Sequence, residues 1–306
     1  MTSETPRVAV NSVAVIEWLA ETERKTGKDL AERLTAALPI RGIEKYIDYR
    51  SCATKAEVMQ SLAKLADDAK RGRRPVLHLE AHGFMPEGER LPSGLCASTT
   101  PVESELLTWN ELMPALQSLN EATETNLVVF FAACWGMGGI FTIPLPGRSP
   151  FVGMAGYTAP VSPTDLFETA REFYVELFQS GIFGAAVVAA NREFHTKGVE
   201  LDAVTSQEIF VGSIEQLLGE GTSPEEVHRR ALDVAVRVIR DNGFAMDRLP
   251  YSRGIQFLYQ EQIPHLKKFW EVFFWVDKFP ENASRFAVDL AELVAPGAAV
   301  RVPPEQ

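Results

Sequence analysis

An imidazole and a thiol stand at matching points of two apolar segments of this chain. Pro75-Val76-Leu77-His78-Leu79-Glu80-Ala81-His82-Gly83 and Leu127-Val128-Val129-Phe130-Phe131-Ala132-Ala133-Cys134-Trp135-Gly136 each run apolar and stop at a glycine, with Cys134 following His82 by 52 residues. A thiol is mostly protonated at neutral pH and becomes a nucleophile when a neighbouring base takes its proton. A Cys134–His82 pair therefore points to attack on a carbonyl carbon, with backbone N–H groups supplying the oxyanion donors.

Such a pair needs elements that bring it together. The apolar runs predict strands buried on both faces of a parallel sheet, and ligands of open α/β sheets sit beyond the carboxyl ends of the strands. Helix starts are marked by a hydroxyl with an acid three residues on: Thr54…Glu57, Thr108…Glu111, Ser162…Asp165 and Ser223…Glu226, the last two with proline next to the cap. The expected order is a strand over 8–18, a helix over 29–38, a strand over 42–49, the Thr54 helix, the His82 strand, the Thr108 helix, the Cys134 strand, a short strand over 151–157 and the Ser162 helix. Such alternation predicts βαβ units. From Asp202 onward helices are expected without a further strand, over 207–218, 223–242, 263–276 and 287–294. This divides the chain into an α/β domain, residues 1–200, and a helical C-terminal region, residues 201–306. The segments 84–107 and 143–150, rich in proline and glycine, are expected as loops flanking the site.

Composition narrows the function classes. The chain has 306 residues, enough for a full core, and a formal charge of −11, which disfavours nonspecific binding to nucleic acid or anionic membrane. No apolar stretch approaches the roughly 20 residues of a spanning helix, and the first residues lack a signal peptide's pattern, so a cytoplasmic protein is expected. Three cysteines, Cys52, Cys96 and Cys134, without CxxC or Cys/His spacing, predict free thiols and neither a metal site nor a cofactor.

The His-Gly and Ala-Cys strand ends resemble the caspase-like cysteine peptidases, whose histidine stands about 50 residues before Gln-Ala-Cys-x-Gly. Here Ala132 replaces the glutamine. The bacterial CHAT branch, related to separase, is the more similar: a second histidine four residues before the first (His78), a strand leading into Ala133-Cys134, then a short strand, Ala159-Pro160-Val161-Ser162, and a helix with Phe173-Tyr174. The likeness covers residues 70–195. It implies a caspase-like α/β/α sandwich with a mostly parallel sheet, to which the residue pattern from Asp202 onward adds the helical C-terminal extension. It also implies Cys134 as nucleophile, His82 as base, and the N–H groups of Gly83 and Cys134 as oxyanion donors. Activity against a protein substrate, a companion protein cut in stress or antiviral defence, follows from the same likeness; with no sensor, repeat or membrane module recognised, control is expected from a regulatory partner or from the flanking loops, and self-association through the aromatic stretch 269–276 is the alternative. A noncatalytic scaffold of the same fold is the rival.

Other candidates have a plainer account beside the functional one. Glu80, between the two histidines on one strand face, either orients an imidazole or is a buried, hydrogen-bonded carboxylate. Asp165 either meets a basic substrate residue or caps its helix, the favoured account. Arg148 either favours an acidic substrate residue or is a solvated loop side chain. The aromatic stretch Phe269 to Val276 is expected as core packing, with a partner surface as the alternative.

Overall fold

The computed structural model of the protein describes residues 7–37, 46–85, 93–99, 105–143, 147–192, 200–219 and 263–293. The chain divides into two compact units, Met1–Pro144 with Arg148–Ser206, and Leu145–Gly147 with Gln207–Gln306.

The first unit is α/β. Strands β1 (Ser12–Trp18), β2 (Tyr46–Ser51), β3 (Pro75–Phe84), β6 (Val128–Ala132) and β7 (Gly153–Gly156) are parallel, in the order β2-β1-β3-β6-β7, and β8 (Asp202–Thr205) closes the row antiparallel to β7. The interior strands are continuously apolar because helices cover both faces, as two consecutive residues of β6 show. Phe130 packs edge-on against Phe173 of helix α4 (Pro163–Ser180), while Phe131 meets Trp109 of helix α3 (Trp109–Ala122) from the other side. Helix α1 (Thr26–Ala37) packs with α4, and helix α2 (Lys55–Ala69) with α3.

The expected caps hold the helices. Thr54 accepts the N–H of Glu57, Thr108 and Glu111 form a reciprocal capping box, and Ser162 accepts the N–H of Asp165 with Pro163 next to the cap. The Ser223 cap lies outside the described residues. Three stretches of the chain differ from the sequence reading. Residues 202–205 are a strand, because Asp202 to Thr205 pair with Gly156 to Gly153; four residues are too few to show a period. The segment read as one loop after β3 contains β4 (Gly94–Cys96) and β5 (Leu107–Thr108), with Phe84, Gly83 and His82 paired to Gly94, Leu95 and Cys96. A further helix, α5 (Phe183–Asn191), follows α4 directly after Gly181, whose φ of +68° ends α4 in the left-handed conformation that glycine adopts without strain.

The second unit contains helix α6 (Ser206–Gly219), a helix over 263–273 and short helices at Asn282–Arg285 and Leu290–Leu293. Its aromatic stretch is core. Phe210, Phe273, Phe274 and Phe286 are buried and in ring contact, Asn282 Nδ2 donates to the Phe274 carbonyl, and Trp270 Nε1 donates to that of Phe286. The helix ends at 273, and the next residues form a turn in which Trp275 takes φ 59°.

Candidate active site

The register of the sheet brings the two chemical segments together. Val76 pairs with Val128, and the same offset of 52 continues through His78 with Phe130 to Glu80 with Ala132. Two residues further along each chain stand His82 and Cys134, at the carboxyl ends of two central strands. Contact there is close: a Cβ on Gly83 would overlap the Cys134 carbonyl oxygen and lie 2.6 Å from its carbonyl carbon. Glycine is thus demanded at 83 by the approach of the next strand's backbone.

The third group is Glu23, which carried no signal in the sequence. Its carboxylate lies 2.8 and 3.0 Å from His82 Nε2. The side chains of His82 and Glu23 are 26% and 33% exposed, so the pair is half shielded from water yet reachable. Glu23 sits on the connection from β1 to α1. That connection is tied down by the Glu23 carboxylate accepting the Ala20 N–H, by Ala20 N–H donating to the Ala97 carbonyl beyond β4, and by Lys25 Nζ donating to the carbonyls of Leu19 and Ala20. In strand order the chain leaves β1 toward β2 on one side and β3 leads toward β6 on the other. The Glu23–His82 contact therefore spans the topological switch point, where open α/β sheets leave a crevice.

With Nε2 against a carboxylate, the neutral imidazole carries its proton on Nε2 and leaves Nδ1 as the basic nitrogen. A carboxylate in that place also stabilises the imidazolium formed when His82 accepts a proton. On Cys134 the thiol is half-buried, and its Sγ accepts from the backbone N–H of Val161, with N···S 3.5 Å. No hydrogen bond joins the Cys134 thiol to the His82 ring among the described residues.

The other two thiols are differently placed. Cys96 pairs with His82 across β3 and β4, yet it is 1% exposed and donates to the Ser98 and His82 carbonyls. Burial pushes its thiol up to about 11. Cys52 is buried beside the Ser61 hydroxyl, and burial again raises its thiol. Of the three, Cys134 is the accessible one.

The structure does not gather all the sequence candidates. Glu80 is 3% exposed and turns to the start of α1, where it accepts the Thr26 hydroxyl, while its neighbour in register, Glu17, accepts the Gly27 N–H at 2.9 Å and the Tyr49 hydroxyl. Its other oxygen lies 3.7 Å from Nε2 of His78, not His82, and His78 Nδ1 meets the Tyr174 hydroxyl at 3.1 Å inside the core. Asp165 is engaged in its cap: its N–H donates to Ser162 Oγ and its carboxylate lies 2.6 Å from that hydroxyl. Arg148 lies at the opposite end of the sheet. Its carbonyl accepts from Gln117 Nε2, the next carbonyl, of Ser149, accepts from Asn120 Nδ2, and Asn120 also holds the N–H of Leu127 at the entry to β6.

Among the described residues, no group of three or more His, Cys, Asp or Glu side chains is placed to hold a metal ion, and no helix is long and apolar enough to cross a membrane. Compared with protein-family models and with curated proteins, the chain matches none.

Proposed function

We propose that the chain is a cysteine endopeptidase of the caspase-like, CHAT-type kind, its sheet unit bearing the catalytic groups and a helical extension following. The observation that carries this reading is the convergence of His82, Cys134 and Glu23 at one end of the sheet. Cys134 Sγ attacks the scissile carbonyl carbon as its proton passes to His82 Nδ1, and Glu23 stabilises the imidazolium. Backbone N–H groups of Gly83 and Cys134 face the oxyanion. His82 then returns the proton to the leaving amine, and water, deprotonated by the same ring, hydrolyses the thioester. The substrate is a companion protein, the setting cytoplasmic defence or stress, and the control a regulatory partner or self-association.

A noncatalytic scaffold is the second reading, and one observation favours it: thiol and imidazole each bond to other groups and not to one another. Apo catalytic pairs are often loose and tighten with substrate. Cleavage of an unbiased peptide library by the purified chain, lost in both Cys134→Ala and His82→Ala, supports the peptidase. No cleavage by wild type, with alkylation of Cys134 unchanged in His82→Ala, supports the scaffold.

A further inference from the structure

Large apolar side chains exposed on the described surface are few: Met85 at 47%, Trp135 at 36% and Val188 at 66%. Two of the three flank the site. Trp135 immediately follows Cys134, and Met85 comes three residues after His82, on the two chain segments that Gly83 and the Cys134 carbonyl press together. Val188 lies apart, on α5.

Trp135 is also held in an uncommon conformation. Its φ is 59° and its ψ 21°, at the entry to the 3-10 helix Gly136–Thr142, with its carbonyl accepting the N–H of Gly138 at 2.9 Å. A bulky residue in the left-handed region is strained, and the indole held there still keeps 36% of its surface open to solvent. Glycine would suit the position better as far as the fold is concerned. Charged specificity groups are meanwhile not offered from the other sequence candidates, since Asp165 is engaged with Ser162 and Arg148 lies at the far end of the sheet.

We propose that Trp135, with Met85, forms an apolar subsite that selects peptides carrying a large apolar or aromatic residue at P1, the residue that donates the scissile carbonyl. This rests on the peptidase reading and adds the substrate class to it. The P1 Cα is one bond from the carbon that Sγ attacks, and Trp135 and Met85 are the large exposed apolar side chains on the two segments that carry Cys134 and His82. An indole face and a thioether together suit a phenylalanine, leucine or methionine side chain, through area burial and ring stacking.

The test is a peptide library varied at P1, cut by wild type, Trp135→Ala, Trp135→Gly, Met85→Ala and His82→Ala, with the iodoacetamide alkylation rate of Cys134 measured in parallel as a readout that needs no subsite. Wild type should prefer large apolar P1 residues. Trp135→Ala should lower kcat/KM for phenylalanine and leucine peptides about tenfold or more while alanine and charged P1 peptides stay within about twofold. Met85→Ala should act in the same direction and more weakly. Trp135→Gly, which relieves the left-handed backbone while removing the same indole, should show the same loss, and an unchanged alkylation rate of Cys134 keeps the result separate from misfolding. A charged P1 preference in wild type, or an apolar preference retained in both Trp135 variants, overturns the subsite while the peptidase stands. Absence of His82-dependent cleavage and of His82-dependent alkylation overturns both.

Discussion

Gly83 and Cys134 are in backbone contact: a Cβ on residue 83 would overlap the Cys134 carbonyl oxygen. No rotamer adjustment relieves an overlap with main chain. Gly83→Ala should therefore move the Cys134 turn away from β3 and cost about 3 kcal/mol, the upper end for overpacking. Urea unfolding measures the loss. Cleavage should fall below detection even where the variant remains folded; a variant of wild-type stability and activity would contradict the contact.

Removing the charge from Glu23 tests the third member of the site. Glu23→Gln keeps a hydrogen-bonding side chain beside His82 Nε2 but cannot stabilise an imidazolium by charge. The expected result is a fall in kcat of about 10- to 100-fold with KM little changed, and slower alkylation of Cys134 at pH 7. An effect confined to Tm would make Glu23 structural only.

Thiol chemistry separates the three cysteines. In the folded protein at pH 7–8, iodoacetamide should modify Cys134 and spare Cys96 and Cys52, whose thiols are buried and raised. Denaturation should expose all three. Mass spectrometry of the alkylated peptides reads the order, and early modification of Cys96 would contradict its burial beside the His82 carbonyl.

Glu17 predicts a pH dependence of stability. Its carboxyl is raised above 4.5, first by burial, against the opposing hydrogen bond from Tyr49, and further by the neighbouring Glu80 carboxylate. In the unfolded chain Glu17 releases its proton at lower pH than in the folded one, so between the two values the folded state holds more protons and stability falls as pH rises. The stabilising effect of this group is complete below about pH 4.5 and is lost as pH climbs through the raised value. Glu17→Gln should flatten that part of the curve, measured by Tm from pH 4 upward; an unchanged slope would assign it to other groups.

Asp165→Asn distinguishes a cap from a pocket wall. The carboxylate is engaged with Ser162, so the change should lower stability by about 0.3–1 kcal/mol through the lost charge at the helix N-terminus and leave the P1 profile unchanged. Loss of basic-P1 cleavage alone would reverse that assignment.

What the sequence by itself determined is local. Continuous apolar runs marked β3 and β6 because strands covered on both faces have no polar side to show, and Thr54, Thr108 and Ser162 marked their helices because a cap and its acid lie within one turn. The equal stops at His82 and Cys134 followed from those runs, and parallel pairing at a single offset made the two ends neighbours. What tertiary structure alone decided depends on strand order and on contacts distant in sequence. Glu23 reaches His82 across 59 residues from a connection with no periodicity, so nothing in its neighbours announced it. Glu80 shares a strand face with His82, yet the packing of α1 draws it to Thr26. The strands β4 and β8, three and four residues long, are held by the edges they pair with rather than by any pattern of their own. Arg148, close to Cys134 in sequence, ends far from it because the chain must return along the length of the sheet to begin β7 parallel to β6.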